Sequence, residues 1–197
     1  MVKKWWALAL IMKGRLMQEM IPAWVEGVLQ PVEKLAAHLD GLRHKAVSVF
    51  VTRGDQLLIQ QRALGKYHTP GLWANTCCTH PHWGEADIDC AERRLRQEMG
   101  IAGVELHPVG AVEYRADVGG GMVEHEVAAV FRGEAGAEVG ITADPGEVMA
   151  WRWVEISGLQ REIIATPQVF TPWLRIYMAG YRAQILGEKG QAWSQTR

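Results

Sequence analysis

This sequence has no long apolar run, no basic tract and no disulfide framework, and each absence removes a class of function. The apolar stretch near the start, Trp5 to Met12, is far shorter than the roughly 20 residues a spanning helix needs. It follows two lysines in the manner of a weak signal peptide, yet no small-x-small cleavage site comes after it. The formal charge is -1 over 197 residues and no lysine or arginine cluster stands out, which excludes nucleic acid as the expected partner. There are three cysteines, two of them adjacent, too few and too close for a disulfide scaffold. Free thiols in a reducing cytoplasm are expected, with no membrane association. Internal repeats and low-complexity segments are also missing.

What remains reads as one domain, large enough to bury a full core. Residues 1–20 are expected to be a poorly ordered N-terminal extension, ahead of a domain over 21–197. The run "KAVSVFVT" (45–52) is apolar and β-branched and predicts a strand. The turn Arg53-Gly54-Asp55 returns it into "QLLIQQR" (56–62), a hairpin. "ALGKYHTPGLWANT" has glycine and proline but no period, and reads as a loop. From Asp87 to Met99 the apolar residues Ile88, Ala91, Leu95 and Met99 fall at helical spacing, and Gly100 stops the helix. Two strands flank the turn Gly119-Gly120-Gly121, "EVMAWRWVEI" predicts another, and two C-terminal helices break at Thr166-Pro167 and Thr171-Pro172. Interleaved strands and helices predict an α/β (α+β) fold, a mixed sheet flanked by helices.

The chemistry is concentrated in "NTCCTHPHWGEADIDCAERRLRQEMG" (75–100). Cys77-x-x-His80 has no second ligand pair at finger spacing, which disfavours a zinc knuckle. Arg94 and Glu98 share a helix face, where the plain reading is an i,i+4 ion pair. Glu124 and Glu126 lie two apart on a strand and so point to one side, with His125 on the other. Two carboxylates on one face repel unless a cation lies between them. With His38, His44 and His80 they make a plausible site for a six-coordinate Mn²⁺, Mg²⁺ or Zn²⁺.

The loop–helix unit has the outline of a Nudix box, whose helix presents glutamates to metals on a diphosphate. Thr79 stands at its opening glycine, Glu85 at its first isolated glutamate, and only Glu98 remains of the clustered three. Arg94 and Gln97 occupy the other positions, which predicts that phosphate recognition survives and hydrolysis does not. "HKAVSVFV", "RALGKYHTPGLWANTCCTHP", "RRLRQEMG", "EYRADVGGGMVEHEV" and "ATPQVFTPWL" together resemble the type I isopentenyl diphosphate isomerases, a divergent Nudix-fold family, over residues 21 to 185.

That resemblance implies an enzyme that shifts the double bond of isopentenyl diphosphate to give dimethylallyl diphosphate through a tertiary carbocation. It implies that Glu126 and Tyr114 protonate one face and Cys78 takes the allylic proton from the other. It places a divalent metal on His38, His44, His80, Glu124 and Glu126, and a Mg²⁺ with the diphosphate on Glu98 and the Cys78 carbonyl. Lys34, Arg62, Lys66 and Arg94 are assigned to the diphosphate, and Trp173 offers its π face to the carbocation. The implied partner is this small diphosphate substrate alone, bound by a monomer or weak homodimer. A Nudix diphosphohydrolase and a non-catalytic metal-binding module are the rival readings.

Overall fold

The computed structural model describes residues 19–187. The extension expected over 1–20 therefore lies outside the described residues except for Glu19 and Met20. The elements, in order, are β1 (Met20–Val25), β2 (Val28–Glu33), α1 (Lys34–Leu39), β3 (Arg43–Arg53), β4 (Gln56–Arg62), β5 (Trp73–Asn75), β6 (Cys77–Thr79) and α2 (Asp87–Met99). They continue with β7 (Leu106–Gly119), β8 (Met122–Glu134), β9 (Val148–Glu155), α3 (Ile156–Ala165), a 3₁₀ turn (Pro167–Val169), α4 (Pro172–Ile176), a π-helical segment (Tyr177–Tyr181) and α5 (Arg182–Leu186).

β3 is the hub of the sheet. One of its sides pairs in parallel with β8 from Arg43↔His125 to Thr52↔Glu134. It also pairs antiparallel with β1 at Ala23↔His44, with β6 at Val47 to Val49, and with β4 at Thr52 and Arg53. β7 extends the sheet beyond β8, and β9 and β5 extend it beyond β4. The sheet is thus mixed, as the interleaved pattern predicts.

Alternation along β3 divides the core in two. Val47, Val49 and Val51 join Cys77, Cys90, Leu95 and Met99 beneath α2. Ala46 and Phe50 join Leu159, Trp173, Leu174 and Tyr177 beneath the C-terminal helices. The result is three layers, helix–sheet–helix. The predicted hairpin, the helix and its Gly100 stop all form, and Gly100 takes φ 66 at the helix end.

The structure departs from the sequence expectation in two places. Residues 20–39, which carry no clear period, form β1, β2 and α1. The predicted loop through "GLWANT" holds a three-residue strand, β5, and is followed by another, β6; both exist through pairing with β4 and β3 rather than through their own pattern.

Candidate active site

Nine of the expected site residues line one cleft: Lys34, Arg62, Lys66, Cys78, His80, Arg94, Glu124, Glu126 and Trp173. Thr79, at the opening position of the Nudix box, lines it as well, and so do Tyr67 and His68, which the sequence did not single out. His38 and His44 touch Glu124, and Tyr114 touches Glu126. Glu98 is buried beside the cleft in contact with Arg94.

Glu124 and Glu126 face inward on β8 while His125 stays half-buried on the opposite side, as period two requires. Glu124 Oε2 lies 3.1 Å from His38 Nε2 and 3.3 Å from His44 Nε2. The Nδ1 atoms of these histidines contact backbone carbonyls, Lys34 O at 2.6 Å and Leu42 O at 2.7 Å. A carbonyl only accepts, so each Nδ1 carries a proton and each Nε2 turns a lone pair toward the carboxylate. Lone pairs from three oxygen and nitrogen atoms at that spacing repel unless a cation joins them.

His80 reinforces the point, because both its ring nitrogens are buried without a hydrogen-bond partner. Its Nε2 sits 3.3 Å from Glu126 Oε1. Ligand atoms of His38, His44, His80 and Glu124 all fall within 4.8 Å of one another, so this buried group is able to hold a metal ion.

The two carboxyls are pushed apart in acidity. Burial raises Glu124, but the imidazoles of His38, His44, His68 and His80 around it outweigh burial and hold the group well below the usual range. Burial and the charge of Glu124 raise Glu126. The Tyr114 hydroxyl donates to Glu126 Oε2 at 2.5 Å, and burial lifts Tyr114 well above its ordinary value.

Cys77 and Cys78 point to opposite sides of β6. Cys77 is fully buried against α2, and Cys78 is half-buried in the cleft. The Cys78 thiol donates to Asn75 Oδ1 at 2.8 Å, with Ser48 Oγ 3.4 Å away. Asn75 Nδ2 donates to Val49 O and Cys77 O, which fixes its Oδ1 toward the sulfur. Burial pushes Cys78 up, Ser48 and Asn75 pull it back less, and Glu126 adds to the rise. Without substrate, burial therefore keeps this group a thiol.

Three of the four cations of the cleft are held by two acids that the sequence did not single out. Glu147 accepts from Lys66 and, at 3.1 Å, from Arg94, while Glu19 accepts from Lys34 at 3.0 Å. Arg94 also grips Glu98 at 2.7 Å, the i,i+4 pair expected on the helix. Glu98 takes its other hydrogen bond from Gln60 at 3.0 Å. Glu85 is not in the cleft; it binds Arg93 at 2.6 Å and the His82 amide at 2.8 Å. Arg62 Nε and Trp173 Nε1 are buried without partners, and the Arg62 guanidinium stands 5.3 Å from the Trp173 ring.

Among known proteins, the NUDIX domain model matches residues 42–174. The isopentenyl-diphosphate Delta-isomerase of Rhodobacter capsulatus is 62% identical over 168 residues, covering 85% of this chain and 96% of that protein. The enzyme of the same name from Cereibacter sphaeroides is 59% identical over 172 residues, covering 87% of this chain and 97% of that one. Among solved structures, DR0079 from Deinococcus radiodurans superposes with a TM-score of 0.66 at 15% identity, over 81% of this chain and 97% of that chain, a likeness of fold alone.

Proposed function

Since the chain belongs to the Nudix family and, within it, to the isopentenyl-diphosphate Delta-isomerases, it interconverts isopentenyl and dimethylallyl diphosphate, and we propose how its residues divide that work. The observation that carries the reading is topological. Cys78 on β6 and Glu126 on β8 come from two strands that both pair with β3, and both line one cleft. An alkene bound between them meets a thiol on one face and a carboxyl–phenol pair on the other.

Glu126, protonated and hydrogen-bonded to Tyr114, delivers the proton to the terminal carbon. Tyr114 relays a proton that a phenol of pKa about 10 does not readily give up alone. Cys78 acts on the opposite face: its thiol proton leaves to solvent, and the thiolate so formed takes the allylic proton. Trp173 is buried, and its indole attracts positive charge without attacking it. Exclusion of water protects the cation from capture as an alcohol. His38, His44, His80, Glu124 and Glu126 would hold a Mn²⁺, Mg²⁺ or Zn²⁺. When bound, that ion draws charge from Glu126 and tunes its acidity.

Lys34, Arg62, Lys66 and Arg94 grip the diphosphate, the arginines through paired N–H donors. The phosphate oxygens replace the Glu147 and Glu19 carboxylates on these cations. Glu98 and the Cys78 carbonyl would hold a diphosphate-bound Mg²⁺, which screens the substrate's charge. The substrate is then anchored beside the thiol that acts on it, the proximity the reaction needs. Among the described residues no helix is long and apolar enough to cross a membrane.

Incubation with isopentenyl diphosphate and Mg²⁺ tests the reading. Dimethylallyl diphosphate is the expected product, and Glu126→Gln should cut its rate of formation by about 10²–10⁴-fold, as for loss of a positioned acid. Phosphate or pyrophosphate release would favour the hydrolase instead, and no product at all would favour a binding module.

A further inference from the structure

His68 has no part in the reading above, yet it is the fourth imidazole on Glu124. Its Nε2 lies 3.0 Å from Glu124 Oε1, the oxygen turned away from His38 and His44, which both meet Oε2. Its wiring is the reverse of theirs. Nδ1 of His38 and of His44 meets a backbone carbonyl, which leaves the Nε2 lone pair for a cation, with the Tyr67 hydroxyl 3.4 Å from Nε2 of His38. Nδ1 of His68 meets a hydroxyl, Thr69 Oγ1 at 3.1 Å, which can donate to it. With Thr69 donating, the His68 proton sits on Nε2 and points at Glu124. The ring is therefore a donor to the carboxylate and not a ligand.

The backbone around His68 is built to hold that pose. The His68 carbonyl accepts from Arg62 Nη2 at 3.1 Å, and the ring stands edge-on to Trp173 at 5.8 Å. Thr69 takes φ 45, a conformation costly for a β-branched residue. Such strain persists where the surroundings over-determine it.

We propose that His68 is a positioning residue that donates from Nε2 to Glu124 Oε1, so that Oε2 is presented to the divalent ion in the His38–His44–His80 group. Ligating carboxylates held by an outer hydrogen bond lose metal affinity when the donor is removed. The inference rests on the metal site proposed above. It also ties the metal to the diphosphate clamp, because Arg62 holds the backbone of the residue that holds Glu124.

The test is Mn²⁺ affinity of the full chain, stripped of metal and titrated by electron paramagnetic resonance, without substrate. His68→Ala should bind Mn²⁺ about 10–100-fold more weakly than wild type. His68→Gln, whose amide reaches the same oxygen as a donor, should recover most of that loss; a merely space-filling role predicts no such rescue. The number of imidazoles on bound Mn²⁺, counted by spin-echo modulation, should be the same in wild type and His68→Gln. Unchanged affinity in His68→Ala, failure of glutamine to rescue, or one imidazole fewer in His68→Gln would each overturn the inference while leaving the metal site standing. A wild-type protein that takes up no Mn²⁺, Mg²⁺ or Zn²⁺ at this site would overturn the metal site and the inference together. Should His68→Ala not fold, the glutamine variant and the imidazole count still decide it.

Discussion

A one-residue step along β6 turns Cys77 into the layer beneath α2 and Cys78 into the cleft. Of the two thiols, that of Cys78 meets the Ser48 hydroxyl and the Asn75 side-chain oxygen. Cys78→Ala should therefore lower isomerase kcat by about 10²–10⁴-fold, while Cys77→Ala, the loss of a small buried side chain, should change it by less than about tenfold. Iodoacetamide labelling mapped by peptide mass checks the assignment independently, with loss of activity tracking the label on Cys78 and bound substrate slowing it. Inactivation by a label on Cys77 would reverse the roles. Arg94 and Gln97 stand where a hydrolytic Nudix helix carries glutamates. Arg94 now lies between Glu98 and Glu147. Arg94→Glu with Gln97→Glu should raise KM by crowding these acids and removing a diphosphate contact, without efficient phosphate release. Rapid release in a phosphate assay would mean that little else separates the two chemistries.

The element that carries Glu98 is pinned at both ends. At its start, Glu85 joins the His82 amide and Arg93, and the Arg93 hydrogen bonds hold its carboxyl at about 2 against an ordinary 4.5. A depressed carboxyl stabilises the fold above its unfolded value, and that stability is lost as the pH falls through the folded one. Glu85→Gln should lower the urea midpoint at neutral pH, and its gap from wild type should narrow as pH drops from 4.5 toward 2. A gap of constant size would show that charge is not the cause. At the other end, a Cβ on Gly100 would sit 2.4 Å from the Thr142 carbonyl, in a backbone with φ 66. Gly100→Ala should cost at least about 1 kcal/mol in urea unfolding. This helix was legible because 13 residues give its period room to show. α1 has six residues and β5 and β6 three each, too few for a period, and β2 leaves most of its residues exposed or half-buried, so hydrophobic pattern says little there.

Over the whole molecule, the parts that bring chemistry together are long-range. Lys34 and His38 from α1, His44 from β3, His80 after β6 and Glu124 from β8 meet although no local signal links them. Motif resemblance brought these residues into one list, whereas His68 and Glu147 were missed because they lie in irregular segments and declare themselves only through contacts across the fold. β1 begins at Met20 and Glu19 already binds Lys34, so a chain starting at Met17 should keep its melting temperature and kcat. A large fall in either would assign residues 1–16 a part in the fold or the site. The central claim is that a Nudix cleft here moves protons rather than breaking phosphate bonds. It is tested most directly by turnover of isopentenyl diphosphate in D₂O with Mg²⁺, followed by proton and phosphorus NMR. The predicted result is dimethylallyl diphosphate with deuterium in the newly formed methyl group and an intact diphosphate signal. Dimethylallyl diphosphate whose new methyl carries no deuterium even after many turnovers, or an alcohol or monophosphate with free phosphate, would contradict it.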